Sequence, residues 1–133
     1  MAGTIVADTI QDGAGNSTAM DNAIYGSAKA WVRWTYTAST LTIQKNYNVS
    51  SITRTASGFY VVNFTNSLAD ANYSVSGSSS SPSGSSSPTG ALQMFGNSSG
   101  NVTPLTNQFC VSAVNGSATA NPDPLYVSLA VFD

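Results

Sequence analysis

Histidine and glutamate are both missing from this 133-residue chain, and Cys110 is its only cysteine. Without histidine there can be no Ser–His or Cys–His nucleophile pair, and zinc sites built from cysteine and histidine fail by count. Charge is scarce too. Lys29, Arg33, Lys45 and Arg54 stand against six aspartates, for a net charge of −2. That balance gives no electrostatic footprint for nucleic acid or an anionic membrane. No apolar run approaches the length of a bilayer span, and residues 1–10 lack the basic start and apolar stretch of a secretory signal. The expected site of synthesis and folding is a cytosol, where a lone thiol such as Cys110 is a small buried side chain. Neither GxGxxG nor a P-loop occurs.

The aspartates are the remaining candidates for chemistry. Asp8, Asp12 and Asp21 cluster near the N-terminus, and DGAGN at residues 12–16 faintly resembles a calcium loop. It misses the D-x-[DN]-x-[DN]-G spacing and the closing glutamate, and turn formation accounts for Asp and Asn beside Gly. A paired-aspartate glycosidase has still less support. No catalytic residue, metal ligand or cofactor is assigned, and the chain is not expected to be an enzyme.

Serine, threonine and asparagine make up roughly a third of the chain, alongside Val, Ile, Tyr and Phe, which suit half-buried strands. The usual helix formers are thin. Seven N-x-S/T triplets follow from polar residues at alternate strand positions; as glycosylation sites they would need a secretory route. The expected fold is all-β: a single-domain antiparallel β-sandwich or jelly-roll-like barrel of about eight short strands, with an N-terminal arm.

Residues 77–90, GSSSSPSGSSSPTG, read either as an interdomain linker or as a loop. Only residues 91–133 lie beyond them, too few to fold alone without disulfides or a metal. The stretch is therefore a loop within one domain, or one that reaches toward a neighbouring subunit, and Pro82 and Pro88 restrict its freedom. Residues 1–27 are the arm and first strand, and residues 28–133 the β-domain.

Period-two alternation marks the strands. Residues 4–10 open the chain, and residues 11–22 read as an irregular arm. Residues 28–36 place Ala30, Val32, Trp34 and Tyr36 on one face, with Lys29, Trp31, Arg33 and Thr35 on the other. Residues 41–43 form a short strand. Residues 47–55 follow, with Val49 and Ile52 in the core and a bulge between them. Residues 59–65 pair with that strand across Ala56-Ser57-Gly58, the best hairpin in the chain. Residues 72–76, 91–95, 108–114 and 125–132 complete the set. Trp31, between two cations, suits stacking on a sugar ring or packing against a neighbouring subunit; the subunit contact is favoured.

Four segments in order, AKAWV (28–32), NVSSIT (48–53), GFYVVNFT (58–65) and DANYSV (70–75), resemble a recurrent module of tailed bacteriophages. The similarity covers most of residues 27–77 and the closing strand at 127–132; residues 77–90 and 97–124 fall outside it. Such modules form the ends of tail fibres or short free-standing virion proteins. The resemblance implies a noncatalytic part of the virion exterior, usually a homotrimer, with no active site.

At 133 residues without a long shaft, a capsid-decorating (cement) protein or short head fibre is expected, made in the bacterial host cytoplasm and carried on the virion. The arm, with Thr4, Ile5, Val6 and Ile10, would dock on the capsid or other virion proteins; the alternative for it is an ordinary edge strand and loop. Trp31, Lys29, Arg33, Trp34, Tyr36 and Phe59 are candidate subunit or partner contacts. A second expectation is a fibre-tip module that binds a host-surface glycan through Trp31 and the loop at 77–90. Neither nucleic acid nor a membrane is an expected partner.

Overall fold

The computed structural model describes residues 3, 6–19, 26–81, 89–97, 100–101, 103–115 and 122–133. Among them the chain is all-β, with no helix. A small hairpin pairs β1 (Thr9–Gln11) with β2 (Ser17–Ala19). The sandwich itself uses β3 (Ala30–Thr37), β4 (Thr40–Tyr47), β5 (Val49–Ala56), β6 (Phe59–Phe64), β7 (Ser74–Ser79) and β8 (Thr89–Met94). After the short ribbon of β9 (Gly96–Asn97) and β10 (Gly100–Asn101), β11 (Gln108–Asn115) and β12 (Tyr126–Phe132) complete it. The front sheet runs β4-β3-β12-β7 and the back sheet β5-β6-β11-β8, with every pairing antiparallel.

Alternation explains why the two sheets close on each other. Ala30, Val32 and Trp34 of β3 and Val127, Leu129 and Val131 of β12 point inward and are buried. They meet Tyr60, Val62 and Phe64 of β6 and Phe109 and Val111 of β11. Each fully buried Val or Phe contributes about 1.5–3 kcal/mol relative to exposure. Trp34 packs on Tyr60 with ring centroids 5.6 Å apart. Phe64, Tyr73, Phe95 and Phe109 form a second aromatic group with centroids 5.7–6.3 Å apart.

Turns fix where the chain changes sheet. Ala38 (φ 50) and Ser39 (φ 63) link β3 to β4, a two-residue turn with positive φ at both positions although neither is glycine. Asn48 (φ 53) turns the chain from β4 in front to β5 behind, in a conformation asparagine tolerates better than most residues. Its amide donates to the carbonyls of Lys29 (3.2 Å) and Asn66 (3.1 Å), and its oxygen accepts from the Asn66 N–H at 2.8 Å. One side chain thus ties three segments together.

Several expectations hold. The β5–β6 hairpin forms across Ser57-Gly58, and the ladder shifts between Val49 and Ser51, which is the anticipated bulge. Cys110 is a free, buried thiol. Others need correction. The opening strand reduces to Thr9–Gln11, since the described residues 6–8 lie outside any strand. The "irregular" arm contains β2, because Asp12 closes a turn: its carboxylate accepts from the Ala14 and Asn16 N–H groups, each at 2.9 Å. β4 spans eight residues rather than three, and Tyr47 belongs to it rather than to the next strand. β7 runs through Gly77, Ser78 and Ser79, and β8 starts at Thr89, so the ends of the serine-rich stretch are strand.

The cause of this extension is β12. Its central apolar residues need a backbone partner on the outer side, and Gly77 lies opposite Leu129. A Cβ at Gly77 would sit 2.5 Å from the Ser128 carbonyl oxygen, so only glycine admits this approach.

Candidate functional site

The outward side of the front sheet is the most chemically varied surface of the described residues. Strand alternation turns Trp31, Arg33 and Thr35 of β3 outward, with Tyr126 and Ser128 of β12 and Ser76 and Ser78 of β7 beside them. Residues on β4 join them only because of a bulge. The β3–β4 ladder pairs Trp34 with Ile43 but Arg33 with Lys45, leaving Gln44 as an extra residue. Strict alternation from the inward Ile43 would have sent Lys45 and Tyr47 into the core; the extra residue reverses their parity. Gln44 settles outside, its amide donating to the Thr35 hydroxyl at 3.3 Å.

Three aromatic rings result on one face that no other described segment covers: Trp31 at 39 % exposure, Tyr47 at 57 % and Tyr126 at 43 %. Tyr47 lies directly opposite Trp31, whereas Tyr126 is opposite Thr35, so the pair and the single ring stand at opposite ends of the face. Between them lies a row formed by Lys45, Arg33, Ser128 and Ser78. The Arg33 guanidinium carbon rests 5.4 Å from the centre of the Tyr126 ring. A groove of about 310 Å³ is lined by Arg33, Ser78, Ser79, Ser80, Tyr126 and Ser128. The Tyr126 N–H donates to the Ser80 hydroxyl at 2.8 Å, which fixes that end of the groove.

Electrostatically the face is one-sided. Arg33 and Lys45 are directly paired across the ladder, an arrangement of like charges that costs roughly 0.2–1 kcal/mol. None of the four front-sheet strands carries an acidic residue. Among the described residues the only salt bridge is Arg54 with Asp123, so neither Arg33 nor Lys45 has a carboxylate partner. The back sheet differs: there Cys110 and Ser112 face outward yet are buried, and Gly96 of the ribbon lies over Ser112. Burial pushes the Cys110 thiol up.

The Arg54–Asp123 cluster has a structural role. Asp123 accepts from Arg54 Nε (2.8 Å) and Nη2 (2.7 Å), the Gly58 N–H (2.9 Å) and the Tyr60 hydroxyl (2.7 Å). Burial acts to raise this carboxyl, but Arg54 and the other donors outweigh it and hold it at about 2. Burial first, then the bond to Asp123, raises Tyr60. With its oxygens committed to these donors, Asp123 pins the segment leading into β12 to the β5–β6 turn.

The expected contact residues do not form one site. Trp31 and Arg33 lie on the open face, and Lys29 is half-buried where the chain enters β3, its N–H donating to the Val131 carbonyl at 2.8 Å. Trp34 is fully buried inside its own sandwich, so it is withdrawn as a partner contact. Tyr36 is half-buried under the Arg54 guanidinium, 5.1 Å from its ring centre, and is likewise occupied within the chain. Phe59 is on the back sheet, opposite Ser112. Of the arm residues, Val6 (93 % exposed) and Ile10 are open to solvent; Thr4 and Ile5 lie outside the described residues, as do residues 82–88 of the serine-rich stretch.

Lys45, Tyr47 and Tyr126 were missed. Alternation in LYVSLAVF places Tyr126 outward; nothing local signals the Gln44 bulge. Residues 96–100, GNSSG, spell the G-x-S-x-G of a nucleophile elbow, which works at a strand-to-helix turn with a histidine partner. Here Gly96–Asn97 and Gly100–Asn101 pair with each other, and the chain has no histidine. No family model matches the chain, and neither a curated protein nor a solved structure matches it.

Proposed function

We propose that this chain is a non-enzymatic structural protein of a tailed-phage virion exterior, a homotrimer that decorates the capsid or forms a short head fibre. The ordered segments AKAWV, NVSSIT, GFYVVNFT and DANYSV support this reading, since they resemble modules of that kind. The observation that carries it is the division of exposed features between two elements. The β1–β2 hairpin and its lead present Ile10 and Val6 to solvent, and among the described residues the hairpin's hydrogen bonds are all internal. The sandwich separately presents the aromatic face of the front sheet. In this reading the hairpin docks on the particle and the sandwich stands above it, its copies meeting away from that face.

Antibody labelling of intact particles tests the placement, with signal expected over the head. Light scattering on the purified chain tests the assembly: three copies are expected, and a clean monomer at high concentration contradicts the trimer. A second reading is favoured by the groove beside Arg33 and Tyr126. In it the chain is a fibre-tip module whose front sheet binds a host-surface glycan, and labelling would then appear at the tail with the isolated protein adsorbing to cells.

A further inference from the structure

We infer that the outer face of the front sheet binds an acidic oligosaccharide, a glycan whose sugars carry carboxylates. This rests on the adhesive reading of that face and names its ligand class; it holds whichever part of a particle carries the chain. The first ground is charge. Arg33 and Lys45 stand opposite each other without an acidic partner among the described residues, and a bound carboxylate between them would turn a repulsive pair into two attractive ones. The second is shape. Trp31 and Tyr126 lie on neighbouring strands, four positions apart along them, a separation of roughly 13 Å at strand rise. That span suits a short oligosaccharide with a ring stacked at each end, and exceeds a single sugar.

The third ground is the lining. The groove beside Tyr126 offers the Ser78 and Ser128 hydroxyls next to the Arg33 guanidinium. Hydroxyls that both donate and accept match the hydroxyls of a sugar. A second copy packing this same face against it is a poorer fit, because it would bring further cations and no carboxylate, none of the four front-sheet strands carrying an acidic residue. Arg33 is also already held over Tyr126, so its orientation need not be acquired on binding.

The test uses the full chain with a galacturonate hexamer as the acidic probe and maltohexaose as the neutral one. Calorimetry and tryptophan fluorescence follow binding at low salt and at about 0.5 M salt, where charge interactions are strongly screened. The acidic hexamer is expected to bind more tightly than the neutral one, with a fluorescence change and a marked loss of affinity in salt. Arg33→Gln and Tyr126→Ala are each expected to weaken it roughly tenfold, with thermal unfolding unchanged. Thr53→Ala, on the exposed back-sheet strand, should leave binding intact. Absence of binding at millimolar hexamer, equal binding of the neutral sugar, or an Arg33→Gln variant that binds normally would each overturn the inference. Protection of Trp31 by a second copy at working concentration would overturn it as well, assigning the face to self-assembly. Loss of the virion placement with binding retained would remove the phage reading alone.

Discussion

The two outer faces of this sandwich share a strand architecture and differ in what covers them. Behind, the chain lays its own ribbon over β11, and the outward residues at the centre of that strand are small: Cys110 and Ser112 are buried by contact with their own chain. In front, nothing among the described residues covers the sheet, and the outward residues include large ones, Trp31, Tyr47, Tyr126 and two cations, beside the small serines of β7 and β12. Beneath the ribbon the side chains of β11 are small. A face that receives a close backbone needs small groups, since a Cβ on Gly96 would already lie 3.1 Å from the Ser112 hydroxyl. The face without a lid holds apolar and cationic groups that gain by acquiring one from outside.

The sharpest way to break the comparison is along β3 itself, where Trp34 and Trp31 sit three residues apart on opposite sides. Trp34→Ala is expected to cost about 3–5 kcal/mol by denaturant unfolding, as for other buried aromatics, whereas Trp31→Ala should cost less than about 1 kcal/mol. Near-equal losses would mean that the front face is covered. Next in size is the close approach on β7. Gly77→Ala forces the strand away from Ser128 and Leu129, with an expected loss of about 1–3 kcal/mol.

A smaller change is expected at the front-sheet turn. Replacing Ala38-Ser39 by Asn-Gly supplies residues suited to positive φ and should stabilise the protein by about 1 kcal/mol, seen as a raised unfolding midpoint. Acid titration addresses the clamp between the sheets. Asp123 ionises at about 2 in the folded chain against 3.8 as its ordinary value. Its depressed value means that its contribution is present above about pH 4 and is lost as pH falls toward 2. Asp123→Asn should flatten that acid limb in unfolding measured against pH. On the covered face, Cys110 should react with a thiol reagent far more slowly in the folded chain than in denaturant.

Much of the fold was legible because it rests on local rules. The β5–β6 hairpin, the bulge after Val49 and the inward set of Tyr60, Val62 and Phe64 all follow from alternation and a glycine turn. The candidate face was only half legible. Trp31 and Arg33 point outward by parity, but Lys45 and Tyr47 join them through one extra residue at Gln44, which local pattern does not announce. Trp34 cannot reach an interface for a different reason: a fully inward aromatic in a thin sandwich is consumed by its own second sheet. The Arg54–Asp123 pair spans 69 residues of sequence and arises only once the sheets meet. The strand within the serine-rich stretch was hidden because β12, a distant segment, dictates it.

The pairing of β3 with β12 carries one further consequence. Ala30, where the chain enters the sandwich, lies opposite Val131, where it leaves, about 5 Å away as in any directly opposed strand pair. A domain with its two leads side by side can be grafted into a surface loop of another protein without prising that loop apart. The same geometry sets its response to force. Tension applied between the two leads would open the β3–β12 ladder one rung at a time, like a zipper, instead of shearing all its hydrogen bonds together.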